Sequence, residues 1–445
     1  MLESQKKKHS GVNLDAAPQY SEPRFGINLY YATLGIGFFS TLEYRFSVGI
    51  STTPVEVIAF LAMGLYLLHS LLEKHHWTQS LFACYSDNRP VFFYIFWIIL
   101  AVFLGLFLRQ SLTTFFLFRD LLSGFIAYLL IASHINTNKR IRYFILSYLA
   151  GSFIHLLIGV SQALTGGPQL VEENWAVGAK MDPSGGFVSG HLVRGLFNHP
   201  NGYAGFFMPI LILVAAALIY KWYESQSEKY CLILLLLMTL FSMHSTYAKG
   251  AFMWSSLGIT FLLIPKILDR WRFYLGLFAL VAGVSGLIIY SLNAYNSSGG
   301  ALGTIETRLQ LTEAALTAMQ QDPYIYLFGD GQRGAFALSR YFSHIEYPNA
   351  HNGIVNIAVF YGFPALFFYL WASLKTLMNL SQIAKLYEGI NRTLSIAMFS
   401  CILASLANYY FEPHTQNPWQ IQFFIFLGLS VSIARLTIDK RWKLR

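Results

Sequence analysis

Two stretches of this chain hold residue types that could grip a phosphate and take up a proton. The first is His191-Leu-Val-Arg194-Gly195-Leu-Phe-Asn198-His199-Pro200-Asn201-Gly202. Its Gly, Asn and Pro make a turn that feeds a helix, and a guanidinium beside free helix N–H groups suits an anion such as phosphate. The structural alternative is an N-cap from Asn198 or Asn201. The second stretch begins at Thr304-Ile-Glu-Thr-Arg308, runs through Asp322-Pro323 and the turn Phe328-Gly-Asp-Gly-Gln-Arg333-Gly, and closes at Ala350-His351-Asn352-Gly353. The imidazole of His351 titrates near neutrality and is the candidate proton acceptor. Arg308 and Arg333 are the candidate anion-binding partners there, and with Arg194 they form a coherent set of one base and several cations. Asn352 is a further candidate beside His351. Glu172, Glu173, Asp182, Asp330 and Glu346 are scattered, with no carboxylate pair at metal-binding spacing, so no metal is expected. The three cysteines, Cys84, Cys231 and Cys401, show neither ligand spacing nor a disulfide pattern.

The elements that must position these residues are set by composition. Hydrophobic residues make up 55% of the 445, charged residues 12%, and mean hydropathy is positive at +0.47, which makes lipid the expected solvent. The net charge of +9 reflects topology rather than a nucleic-acid partner. Runs of about 20 apolar residues are needed to cross a bilayer. Twelve are read here: 27–44, 53–73, 90–108, 114–133, 143–165, 202–220, 230–245, 250–268, 273–292, 353–374, 393–411 and 418–436. The expected fold is an all-α, polytopic membrane domain over 27–436 with tails 1–26 and 437–445.

An even number of spans puts both termini on one side. That side carries 21 lysines and arginines against 8 on the other, so the termini are expected to be cytoplasmic. The connections 166–201 and 293–352 then face outward, and long loops on a compact scaffold commonly carry function. The spacing after Thr304 predicts a short amphipathic helix lying on that outer face. Arg45, Arg109, Lys180 and Arg340 read as solvated loop cations. No internal repeat with matched broken helices is apparent, and the polar start through about Pro23 has no signal-peptide pattern.

Taken in order, these motifs resemble the bacterial O-antigen ligase and polymerase superfamily. Arg194-Gly-Leu-Phe-Asn-His-Pro-Asn201 is similar to that family's arginine, glycine and asparagine-proline-asparagine approach to a helix. Thr307-Arg308, Asp322-Pro323 and Gly329 to Gly331 resemble the opening of its signature region, and His351-Asn352 with Gly362-Phe363-Pro364 resembles its close. The matches span residues 194–364. One departure is Ala248-Lys249-Gly250, where many members carry serine-arginine-glycine; lysine keeps the charge and loses the bidentate fork.

The resemblance implies a GT-C-like membrane enzyme of the bacterial inner membrane working on its periplasmic face. Its donor would be a glycan on undecaprenyl diphosphate and its acceptor a sugar hydroxyl of lipid A-core, with membrane lipids around it and no cofactor. His351 would act as base, Arg308 at the reacting centre, and Arg194, Lys249, Arg308, Asn201 and His199 at the diphosphate. A surface-polysaccharide polymerase shares the donor, an O-linked protein ligase shares the site logic, and a flippase or transporter would favour buried ionisable groups such as Arg119-Asp120.

Overall fold

The structure is a computed structural model. It describes residues 24–41, 46–48, 50–73, 88–109, 112–165, 193, 195–197, 200–246, 248–267, 312–317, 319–331, 352–411 and 419–442. These form helices α1 (Arg24–Phe39), α2 (Pro54–Glu73), α3 (Arg89–Arg109), α4 (Leu112–His134), α5 (Asn138–Thr165), α6 (Pro200–Ile219), α7 (Gln226–His244), α8 (Lys249–Ile267), α9 (Pro323–Phe328), α10 (Gly353–Tyr361), α11 (Phe363–Leu386), α12 (Ile390–Phe411) and α13 (Trp419–Trp442). A two-stranded hairpin, β1 (Phe46–Val48) and β2 (Ile50–Thr52), pairs antiparallel between α1 and α2.

Six described helices, α3, α5, α6, α7, α12 and α13, are long and apolar enough to cross a membrane. The expected run 273–292 lies outside the described residues. Helix α6, an unbroken apolar sequence with Pro209 inside it, is buried over 89% of its spanning window, whereas α7 is buried over 28%. Hydrophobicity on all sides of α6 therefore marks the centre of a bundle, and α7 belongs to its rim, with Leu234 and Leu237 exposed as a lipid-facing surface would have them. Helix α13 is likewise central, packed along α4 and against α12.

The two ends of the bundle are fixed by polar contacts. At the end bearing the hairpin, the His155 ring from α5 bonds the carbonyl of Thr41 at 2.7 Å. At the opposite end, Arg142 of α5 forks across Glu228 of α7 at 2.7 and 2.8 Å, and Arg435 of α13 donates to the carbonyl of Ala132. Helices α2, α4, α6, α8 and α13 start at the hairpin end.

The expected single span 353–374 is broken. Gly362, at φ +87°, separates α10 from α11, and α11 runs on to Leu386. The cause is local. Pro364 has no N–H for the carbonyl of Phe360, and the carbonyl of Val359 accepts from Asp330 N–H at 2.9 Å instead of continuing the helix.

Arg119 and Asp120 of α4 also find a structural account. Arg119 meets Glu56 of α2 at 3.3 Å and Asp120 at 3.2 Å, and Glu56 in turn caps α2 by accepting from Thr53 N–H at 2.7 Å while Thr53 Oγ1 accepts from Glu56 N–H. This reciprocal capping box ties the charges to a helix start.

Candidate functional site

Two assemblies form around the motif residues, both built on helix N-termini. The first holds the turn before α6. Gly195 is at φ +58°, and a Cβ there would meet the His155 and Tyr203 rings, so only glycine fits. Gln162 of α5 grips this residue on both sides, donating to its carbonyl at 3.0 Å and accepting from its N–H at 2.8 Å. His155, two turns earlier on the same face of α5, accepts from Leu196 N–H at 2.9 Å. With its other nitrogen on the Thr41 carbonyl, the ring is neutral and carries its proton on Nδ1. Phe197 stacks on it at 5.1 Å.

The same turn reaches α8. Val193 N–H donates to the carbonyl of Ser245 at 3.3 Å, four residues before Lys249 opens α8, and Thr246 Oγ1 receives Ala248 N–H at 3.2 Å. The chain flanking position 194 and the chain leading to Lys249 are thus joined by main-chain contact. Asn201 sits half-buried in the first turn of α6. Arg194 and His199 lie outside the described residues, as does the side chain of Lys249.

The second assembly unites the later motifs. Asp322 caps α9, accepting from Tyr324 N–H at 2.9 Å, with Pro323 following as a proline suited to the first helical turn. Gly329 at φ +71° and Gly331 at φ +54° turn the chain under α10. A Cβ on Gly329 would collide with the backbone at Phe360 and Tyr361, and one on Gly362 with the carbonyl of Leu327. Aromatic stacking closes the joint: Trp97 of α3 lies parallel to Phe328 and donates to the Leu327 carbonyl at 3.1 Å, and Tyr326 stacks on Phe363. Asn352 caps α10, its Oδ1 accepting from Ile354 and Val355 N–H at 3.1 and 3.2 Å.

The Asp-Pro turn, the glycine turn and the Gly-Phe-Pro step are therefore one packed unit with the residue next to His351 at its edge. Arg308, Arg333 and His351 lie outside the described residues, as do 304–311 of the expected amphipathic helix; its continuation 312–317 is helical, burying Ala314 and Ala315 and exposing Leu316.

Between the two assemblies the bundle carries buried polar side chains that the motif reading missed. Helix α12 packs against α6, α8 and α10. Near its last turns, Asn408 and Ser405 face Gly205 and Met208 of α6 and Gln422 of α13 around a cavity of about 10 Å³. Pro209 leaves the carbonyl of Gly205 without its helical donor. Gln422 spans three helices, donating to Tyr148 Oη and at 3.0 Å to the carbonyl of Phe206. The signal for these residues is polarity inside apolar runs: His155, Gln162, Asn408 and Gln422 are each costly in a membrane unless partnered. Among the described residues, no three His, Cys, Asp or Glu side chains converge on a metal position.

Two stability predictions arise here. Gln162→Leu strands the buried N–H and carbonyl of Gly195 and should cost about 2–4 kcal/mol, read as a lower midpoint in detergent unfolding; an unchanged midpoint would mean that the turn is held otherwise. Asn352→Ala removes a cap that serves two N–H groups and should cost about 1 kcal/mol, with Asn352→Asp retaining most of the stability.

No protein-family model matches the chain, and no curated protein matches it in sequence.

Proposed function

We propose that this chain is an O-antigen ligase, a GT-C-like membrane glycosyltransferase that moves a glycan from undecaprenyl diphosphate onto a sugar hydroxyl of lipid A-core at the periplasmic face of the bacterial inner membrane. The observation that carries the proposal is the joining of Asp322-Pro323, Gly329 to Gly331 and Gly362-Phe363-Pro364 into one unit whose edge is Asn352. Motifs distant in sequence occupy one place, as residues of one site must. The tie between the Arg194 turn and the start of α8 supports a second grip on the donor.

The roles follow from the demands of the reaction. The acceptor oxygen attacks the anomeric carbon, the bond from that carbon to the phosphate oxygen breaks, and the electron pair leaves with undecaprenyl diphosphate. Diphosphate leaves readily once its charge is met, which Arg194, Lys249 and Arg308 supply, with Asn201 and His199 in support. The acceptor proton passes to His351. A single displacement inverts the anomeric centre and needs no covalent intermediate. The charge bias supports cytoplasmic termini, and with the expected twelve spans such an orientation would turn this site outward.

The test is transfer by the purified protein, without added metal, from undecaprenyl-diphosphate glycan to lipid A-core, read as a gel shift of the acceptor. A shifted acceptor is the expected result. Donor laddering with an unmodified acceptor would instead make the chain a polymerase, and no reaction of the donor at all would remove the glycosyltransferase reading.

A further inference from the structure

At the end of the bundle opposite the hairpin, a cleft of about 550 Å³ opens among the start of α5, the α6–α7 turn and the start of α12. We propose that this cleft seats the phosphate headgroup of an anionic phospholipid. The proposal needs only the membrane setting of the helices and stands apart from the chemistry at the hairpin end.

Charge is the first argument. Three cations line the cleft, Arg142, Lys221 and Arg392, against one carboxylate, Glu224. Arg142 is already matched, forked on Glu228 and paired with Glu224. Lys221 and Arg392 have no carboxylate partner among the described residues, which leaves the cleft able to accept one or two negative charges. A phosphodiester brings one.

Backbone geometry points the same way. Helix α12 presents its first turn to the cleft through Gly389, Ile390, Arg392 and Thr393, so the positive end of its dipole lies at the cleft. Lys221 holds φ +56°, the left-handed position just past α6 where glycine is the unstrained residue. Its conformation is fixed by Trp222 N–H on the carbonyl of Ala217 at 2.9 Å. The backbone there roots the Lys221 side chain at the edge of the cleft.

The source of the phosphate is argued from depth and from the walls. The cleft lies at the ends of α5, α6, α7 and α12, four helices long and apolar enough to cross a membrane, which is headgroup level. Tyr220, Trp222 and Tyr223 line it, and amphipathic rings settle at that level. Trp222 Nε1 donates to Thr393 Oγ1 at 3.0 Å and Tyr220 donates to the carbonyl of Leu262 at 2.6 Å, so the aromatic wall is anchored to both sides before any lipid arrives. Basic pockets between helix ends on the positive side of a membrane protein recognise such headgroups, whereas cations merely obeying the topology rule require no cavity.

The experiment uses the full chain in nanodiscs of phosphatidylcholine with or without phosphatidylglycerol, with bound phospholipid identified by native mass spectrometry. Phosphatidylglycerol should be retained over phosphatidylcholine. Retention should fall about 10- to 30-fold in Lys221→Gln/Arg392→Gln, each cation contributing its share of surface attraction. Lys385→Gln, at the end of α11 and outside the cleft, should keep the lipid, as should the charge-conserving Lys221→Arg/Arg392→Lys pair. Equal retention of both lipids, or retention unchanged in the double glutamine variant, would overturn the site. Inorganic phosphate on delipidated protein forms the other arm: thermal protection matching that by phosphatidylglycerol, and lost with the same two cations, would overturn the lipid as the source and make the ligand a phosphate from solution.

Discussion

His351→Ala should lower the rate of glycan transfer by about 10²–10⁴-fold, because the variant removes the only proposed proton acceptor. The acceptor hydroxyl is a weak nucleophile, and the loss should fall on turnover rather than on donor binding. Arg308→Ala should cost about 10²–10³-fold, since charge on the departing diphosphate would then develop without its guanidinium. Arg308→Lys separates charge from geometry: a point charge restores part of the rate, and full restoration would mean that the fork is not used. Measured turnover within a few-fold of wild type in both alanine variants would remove these residues from the site and leave the ligase reading without its chemistry.

Gly362→Val should be among the most damaging single changes in the molecule. A side chain at φ +87° is strained whatever surrounds it, and here a Cβ also strikes the carbonyl of Leu327. Strain and overpacking together should cost about 3–5 kcal/mol, with the re-aimed α10 taking Asn352 and its neighbour out of register. Gly64→Ala in α2 is the matched control: nothing lies within 4 Å of a Cβ there, and helical alanine is preferred over glycine. Thermal melting in detergent, followed by size exclusion, reads the difference. A Gly362→Val protein that melts with Gly64→Ala would show that the joint between α9 and α10 yields without penalty.

Much of the architecture was legible because a spanning helix declares itself by length and apolarity. The runs at 90–108, 143–165 and 202–220 coincide with α3, α5 and α6 to within a few residues. The break at Gly362 was half-visible: Gly-Phe-Pro was read as a motif, yet the apolar residues on either side carried the count through it as one span. Hydropathy averages over a window and cannot register a single φ value. Helix α11 reaches Leu386, twelve residues past the expected end, because Ser381, Gln382 and Lys385 continue the helix where hydropathy fades. The candidate site was legible as a set of residue types but not as a set of contacts. Nothing local links Gln162 to Gly195, His155 to Thr41, or Asp330 to Val359; each joins segments whose proximity only the folded bundle creates.

The joint between α9 and α10 also bears on how the protein is made. A lone break in a helix leaves main-chain carbonyls facing hydrocarbon, at several kcal/mol each, until something arrives to pair with them. Here the partner of Val359 is Asp330, which precedes it in the chain. The segment 319–331 is therefore synthesised before the helix it must cover, and has to wait in the membrane or at its surface until α10 and α11 insert. Such an order lets the joint close as soon as α10 and α11 insert, so the break need not face hydrocarbon while α12 and α13 are still to be made.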